Sequence, residues 1–207
     1  MKTLPLYFVI IIILSCKKPE SNTDVSRLRE GDIIFQTSQS AQSNAIQLAT
    51  HSKYSHCGII YKDDTGHYFV YEAIQPVKKT PLLAWIARGE KGRYAVRRLK
   101  DAGKVLTPQA LRRMKAAATA MNGKNYDLYF EWSDDRIYCS ELVWKIYKQG
   151  TSLEVGHLQQ LKDFDLNNPI VKSKLRERYG KNIPLSGKVI SPSALFDSEL
   201  LYTVIEN

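Results

Sequence analysis

An α+β domain, with antiparallel strands packed against helices, is the fold class this sequence predicts, and three observations carry it. Short β-type runs cluster before residue 100. Helical patterns with recognisable start and stop residues flank them. Two of the β runs face each other across the turn segment Lys62-Asp-Asp-Thr-Gly66, which makes them a hairpin and the sheet antiparallel.

Taken in order, Gly31–Gln36 reads as a strand after a turn residue. Ser43–Thr50 reads as a helix, capped by Ser43 or Asn44, with Ile46, Leu48 and Ala49 apolar. His51–Tyr61 ends in a strand, and His67–Ala73 is its return. Pro81–Ala87 is predicted as a helix with proline at its first position and Gly89 past its end. Arg93–Arg98 is a further strand. Thr107-Pro108 caps a helix running to Met121, stopped by Asn122-Gly123. Ile137–Gly150 is a helix with Leu142, Val143, Ile146 and Tyr147 at helical spacing and Gly150 as its stop. Leu153–Ile170 has no regular pattern, and Lys172–Tyr179 reads as a short helix. Ser191-Pro192 opens a last helix to about Leu201, and Tyr202–Ile205 is a final strand.

Composition fits one folded domain. Of 207 residues, 43% are hydrophobic and 25% charged, which are globular values. No low-complexity tract and no repeat interrupts the chain. The net charge of +9 is spread over Arg97–Lys100, Leu111–Lys115 and Lys172–Lys181. With no nucleic-acid-binding motif, that charge reads as a solvated surface able to favour anionic headgroups or carboxylate-bearing substrates. No nucleic-acid partner is expected, and a monomer is.

The N-terminus is Met1-Lys2-Thr3, an apolar run Leu4–Leu14, then Ser15-Cys16-Lys17-Lys18. The run has the length of a signal-peptide core and is short for a membrane span. Ile13-Leu14-Ser15-Cys16 resembles a bacterial lipobox. Residues 1–15 are therefore expected to be a lipoprotein signal peptide, Cys16 the acylated first residue, 16–27 a polar tether and 28–207 the catalytic domain. An uncleaved anchor and an ordinary secretory signal are the alternatives.

Lipidation of Cys16 would leave two of the three cysteines, Cys57 and Cys139. Cys139 falls in the first turn of its predicted helix. The helix dipole there favours the thiolate, the nucleophilic form of a thiol. A buried, inert thiol is the alternative. A nucleophile needs a base, and the base a partner that orients it. Among His51, His56, His67 and His157, His56 is the best candidate, because it enters a strand that would hold its backbone rigid. Glu72 sits in the apolar run Tyr68–Ala73, where a carboxylate needs a reason to be buried. With an odd-length loop, Tyr61 pairs with His67 and His56 lies opposite Glu72 on one face. A four-residue loop would put Cys57 there, and an exposed Glu72 on a sheet edge is the other alternative. In the odd-loop register Cys57 points to the opposite face as a small core residue, and no Cys57–Cys139 disulfide is expected.

Gly31-Asp-Ile-Ile-Phe, Tyr54-Ser-His-Cys-Gly-Ile, Val70-Tyr-Glu-Ala and Tyr138-Cys-Ser-Glu-Leu-Val, in this order, resemble the YiiX-like permuted papain-fold amidases. These are circularly permuted relatives of the NlpC-type cell-wall peptidases, with the histidine strand before the cysteine helix. The resemblance spans about Leu28 to Ile205. It implies a papain-like antiparallel sheet or small barrel packed against helices, with the nucleophile at a helix N-terminus. It implies Cys139 as nucleophile, His56 as base and Glu72 as third member. Gly123-Lys-Asn-Tyr126 looks like the Gly-x-x-Tyr segment of the cell-wall relatives, which makes Tyr126 a candidate oxyanion donor beside the Cys139 backbone N–H. No cofactor and no metal are expected, since the histidines lack zinc-peptidase spacing. The expected function is a cysteine hydrolase cleaving an amide or ester on lipid-linked or N-acylated amino acid or peptide substrates at the cell envelope, periplasmic or outer-membrane-associated. A peptidoglycan stem-peptide endopeptidase and a non-catalytic envelope lipoprotein are the alternatives.

Overall fold

Residues 25–207 are described by a computed structural model; the leader, Cys16 and the tether up to Asp24 lie outside the described residues. The elements run β1 (Ile33–Gln36), α1 (Ser43–Thr50), β2 (His56–Lys62), β3 (Tyr68–Glu72), β4 (Lys78–Pro81), α2 (Leu82–Ala87), β5 (Ala95–Leu99), α3 (Ala102–Val105), α4 (Pro108–Ala120), β6 (Asn125–Tyr126), β7 (Arg136–Ile137), α5 (Cys139–Thr151), β8 (Gln159–Gln160), α6 (Pro169–Tyr179), β9 (Lys188–Val189), α7 (Pro192–Phe196) and β10 (Leu201–Glu206). β1–β5 and β10 form one sheet in the order β10-β5-β1-β2-β3-β4, and every neighbouring pair in it is antiparallel. The α+β class holds, and the sheet is open rather than a barrel.

Helices cover both faces of the sheet. Ile33, Phe35, Cys57, Ile59 and Tyr61 point into a core shared with Met114 of α4 and with Leu142, Val143, Ile146 and Tyr147 of α5. Ile34, Ile60, Val70 and Val96 point the other way, onto Leu82, Trp85 and Ile86 of α2. That explains why β1 and β2 read as continuous apolar runs without polar alternation. The helical stripe in α5 is thus the face that lies on the sheet.

Several boundaries differ from the sequence reading for identifiable reasons. Gln42, not Ser43 or Asn44, caps α1; the Ser43 hydroxyl bonds Ser55 instead, 2.6 Å away. β4 was not anticipated: Lys78-Lys-Thr-Pro81 has Thr80 as its single β-type residue and is an edge strand, where lysine and proline are at home. The last helix ends at Phe196, which frees Leu201–Glu206 to pair with β5 as the opposite edge. Gly150 does not stop α5, which runs to Thr151 and ends on Ser152 at φ 67°. Gly150 is there for contact: a Cβ would lie 2.1 Å from Met114 Cγ and 3.0 Å from the Met114 backbone N in α4. α4 itself starts as expected, with the Thr107 hydroxyl accepting the Ala110 N–H at 3.2 Å.

Candidate active site

His56 is the first residue of β2 and Glu72 the last of β3. The loop between these strands is Asp63–His67, odd in length as anticipated, so the two side chains share the α2 face of the sheet. The pairing is nevertheless two residues off: Tyr61 faces Phe69, not His67. His56 and Glu72 are therefore diagonal neighbours rather than opposed ones. Gly58 makes the diagonal passable, because a Cβ there would lie 2.4 Å from Val70 Cγ1 and 3.4 Å from Glu72 Cβ. The His56 Nε2–H donates to Glu72 Oε2 at 2.7 Å. The Trp85 ring stacks on the imidazole with centroids 5.9 Å apart. Glu72 is fully buried, and its other oxygen, Oε1, accepts from Thr80 Oγ1 at 2.5 Å and from Arg88. Burial disfavours its charge, but the His56 bond and then Thr80 and Arg88 outweigh it, and the carboxyl sits below its ordinary value.

Cys139 is the first residue of α5 and is 3% exposed. The start of that helix is fixed from three sides. The Tyr138 N–H donates to Glu141 Oε2 at 3.4 Å, Ser140 Oγ donates to the Ile190 carbonyl at 2.7 Å, and the Ile190 N–H donates to Tyr138 Oη at 3.1 Å. The largest influence on the Cys139 thiol is a hydrogen bond from the Cys57 thiol. Burial opposes ionisation, and His56 and the Cys57 backbone N–H add to the Cys57 effect. The net result is a thiol held well below its ordinary value. His56 shows the other half of the same pair. Burial pushes the imidazolium down, but the bonds to Cys139 and Glu72 prevail and raise it to about 9. With Nε2 on Glu72, it is Nδ1 that serves Cys139. Both directions favour a thiolate–imidazolium pair.

Cys57 needs a correction. It does point away from His56, as strand alternation requires. That face, however, is the one on which α5 packs, so Cys57 meets Cys139 instead of leaving it. Both thiols are free. Burial and the bond to Cys139 push the Cys57 thiol well above its ordinary value, so it stays protonated and can donate.

Tyr126 is also brought in. β6 pairs in parallel with β7, setting Tyr126 beside Ile137 just before the cysteine helix. The Tyr126 Oη accepts from Gln42 Nε2 at 2.9 Å, and Gln42 Oε1 accepts from Arg178 at 2.9 Å. Arg178 thereby fixes the Gln42 amide so that its NH2 faces Tyr126, leaving the tyrosine its own O–H to give. Tyr126 and Cys139 line one cavity. His51 and His67 are exposed and bound to Asp165 and Asp63, away from the site.

Sequence reading missed Trp85, Thr80, Arg88, Gln42 and Arg178, which come from four separate elements and carry no local signal. Gly58 was the clue available in the sequence for the diagonal contact.

Residues 27–205 match the family described as permuted papain-like amidase enzyme, YaeF/YiiX, C92 family. The uncharacterized protein YiiX of Escherichia coli K12 is 53% identical over 174 residues, 84% of each chain. The crystal structure of the metalloprotein YiiX from Escherichia coli O157:H7 superposes with a TM-score of 0.83 at 51% identity, covering 87% of this chain and 98% of that one. Among the described residues no group of three or more His, Cys, Asp or Glu side chains converges as metal ligands. By sequence and by fold, the chain belongs to the YiiX-like permuted papain-fold family of cysteine amidases and peptidases, and it is a cysteine hydrolase.

Proposed function

We propose that the chain is an amidase in which Cys139 attacks an amide or ester carbonyl of an N-acylated amino acid or peptide, with His56 as its base and Glu72 as the residue that orients His56. The observation that carries this is the buried chain of contacts from Glu72 Oε2 through His56 to Cys139, whose partners favour the thiolate. The Cys139 thiolate adds to the carbonyl carbon. The oxyanion that forms is met by the Cys139 backbone N–H, at the positive end of α5, and by the Tyr126 hydroxyl. The His56 imidazolium gives its Nδ1 proton to the leaving amine, the C–N bond breaks and a thioester remains on Cys139. Neutral His56 then takes a proton from water, whose oxygen attacks the thioester and releases a carboxylic acid.

A metal has no part in this reading. Both nitrogens of His56 are committed, one to Glu72 and one to Cys139, and no other ligand converges on them among the described residues.

The lipobox-like Ile13–Cys16 supports an envelope location, anchored through acylated Cys16. No helix among the described residues is long and apolar enough to cross a membrane. Mass spectrometry of membrane-extracted protein is expected to find a diacyl or triacyl mass on an N-terminal peptide starting at Cys16; an unmodified N-terminus elsewhere removes the anchor.

The deciding experiment has two parts. Brief iodoacetamide treatment of the folded protein at pH 6, followed by peptide mapping, should place the adduct on Cys139, and His56→Ala should slow it. An activity screen should then find Cys139-dependent release of amine from N-acyl amino acids, with purified muropeptides run beside them. Labelling of Cys57 in preference to Cys139 overturns the nucleophile. Turnover of muropeptides alone would move the function to cell-wall endopeptidase.

A further inference from the structure

The hydrolytic mechanism leaves one buried thiol without a chemical task. Cys57 is the second residue of β2, has no exposed surface and lies on the face of the sheet that α5 covers. Its thiol and its backbone N–H both donate to the Cys139 sulfur. Packing of α5 on β2 thus sets two cysteines from distant parts of the chain against each other, and neither is in a disulfide. Strand alternation alone spoke against a bridge here. That reasoning lapses once α5 lies on the Cys57 face.

We propose that Cys139 is a site of reversible oxidation by hydroperoxides, with Cys57 as the resolving thiol that closes onto it as a disulfide. This rests on Cys139 being the reactive thiolate of the proposed mechanism. In the first step that thiolate attacks the peroxide. An S–O bond forms, the O–O bond breaks, and the departing oxygen takes the proton of the His56 imidazolium. The sulfur has given two electrons to the peroxide and is a sulfenic acid. In the second step the Cys57 sulfur attacks the sulfenic sulfur. The S–S bond forms, the S–O bond breaks, and hydroxide leaves with the Cys57 proton as water.

Geometry favours the second step. A disulfide needs Cα atoms about 4.4–6.8 Å apart and side chains that converge. A sulfur that accepts both the thiol and the N–H of one residue already lies against that residue. Closing the bridge is then a matter of side-chain torsions rather than of moving β2 or α5. The electrostatics change in the same sense. Burial and the Cys139 sulfur together keep Cys57 protonated, and the second of these influences weakens once Cys139 has lost its charge.

The bridge protects the nucleophile and silences it. A sulfenic acid left alone meets more peroxide and passes irreversibly to the sulfinic acid. A thiol in contact reacts first, because it is held in place while peroxide must arrive from solution. Cys139 is 3% exposed and Cys57 is not exposed at all, so reduction begins at Cys139. A dithiol attacks the Cys139 sulfur, the S–S bond breaks and Cys57 leaves, taking a proton. The second thiol of the reductant then releases Cys139 as the thiolate and restores the hydrolase.

The test uses the full-length chain in detergent, treated with hydrogen peroxide at neutral pH, blocked with iodoacetamide and digested without reductant for peptide mapping. The expected product is a Cys57–Cys139 linked peptide pair lacking two hydrogens. Labelling of Cys139 should be lost on treatment and return in full after dithiothreitol. Cys57→Ala should react more slowly. Taken to the same loss of Cys139 labelling, it should carry two added oxygens on Cys139 and recover none of that labelling with dithiothreitol. Cys57→Val, closer in size, should behave alike and keeps the test decisive if the alanine variant does not fold. An unmodified Cys139, a sulfinic acid on Cys139 of the parent with Cys57 still free, or a bridge from Cys139 to Cys16 or to a second chain overturns the proposal. Full recovery of the Cys57 variants by dithiothreitol overturns it as well. Untreated protein separates the two readings. Fast labelling of Cys139 at pH 6 with no bridge after peroxide removes the oxidation site alone, whereas labelling of Cys139 no faster than a free thiol removes the nucleophile and this site with it.

Discussion

Asp32 and Glu72 are two carboxylates with no exposed surface, each held by an arginine, at two ends of one sheet. Asp32 has both oxygens held. It takes Arg98 Nε at 2.7 Å and Arg98 Nη2 at 2.8 Å on separate oxygens, and the Arg29 N–H at 2.8 Å. Burial still outweighs these bonds and raises its carboxyl above the ordinary value. Glu72 spends only one oxygen on Thr80 and Arg88 and gives the other to an imidazole that leads to a thiol. Its charge is favoured in spite of the same burial. The difference lies in what stands beyond the partner. The Arg98 fork also reaches the Arg27 carbonyl and Tyr202, neither of which leads to a nucleophile, whereas His56 leads to Cys139. A buried ion pair becomes a candidate for chemistry when its partner can pass a proton on, and stays a fastening when it cannot.

That contrast can be broken most severely at the end of the Glu72 line. Cys139→Ala should lower kcat/KM by about 10⁴-fold or more while leaving the melting temperature near that of the parent. Activity and calorimetry on one preparation separate the two effects. Glu72→Gln should cost about 10³- to 10⁴-fold in kcat/KM. It should also move the alkaline limb of the pH–rate profile. In the parent that limb should lie near pH 9, where His56 gives up the proton that completes the ion pair. The sign follows from the raised value. His56 binds its proton more tightly when folded, so this contribution to stability is fully present below its ordinary 6.5 and is lost as pH rises through about 9. Removing the Glu72 charge takes away one of the two raising influences, so the limb should move to lower pH. A limb that stays near 9 in Glu72→Gln would remove Glu72 from the relay.

Asp32→Ala tests the other arm. It leaves Arg98 buried and unpaired and should destabilise the fold by about 3–5 kcal/mol, read by urea unfolding. The alkylation rate of Cys139 in the still-folded fraction should not change. The smallest expected effect is at Cys57. Cys57→Ala removes one hydrogen bond to a charged group and should slow labelling of Cys139 at pH 6 by about tenfold. An unchanged rate would make Cys57 a packing residue only.

Much of this was readable before the structure, and what was not has physical reasons. The hairpin parity was legible because the side-chain period of a strand is two, so an odd loop was enough to put His56 and Glu72 on one face. The register was not, because a slip of two residues preserves the face, and nothing in Asp63–His67 marks which pair closes the turn. The helix start at Cys139 was legible from Leu142, Val143, Ile146 and Tyr147. The role of Cys57 was not, because alternation says which face a residue takes and says nothing of which helix covers that face. Arg88, Thr80, Gln42 and Arg178 come together only through tertiary packing, and no spacing in the sequence joins them.

The contact between Cys57 and Cys139 has a consequence for the order in which the molecule matures. His56 and Glu72 belong to one local hairpin, closed early by a short loop, whereas Cys139 emerges much later in synthesis and must dock α5 onto that hairpin's sheet. Beyond the dipole of its own helix, the influences that lower the Cys139 thiol come from Cys57 and His56, across that docked interface. Before docking, Cys139 is an ordinary thiol, largely protonated at neutral pH and slow towards electrophiles and oxidants. On the proposed assignment the strongest activation of the thiol thus waits for that docking, which also encloses it.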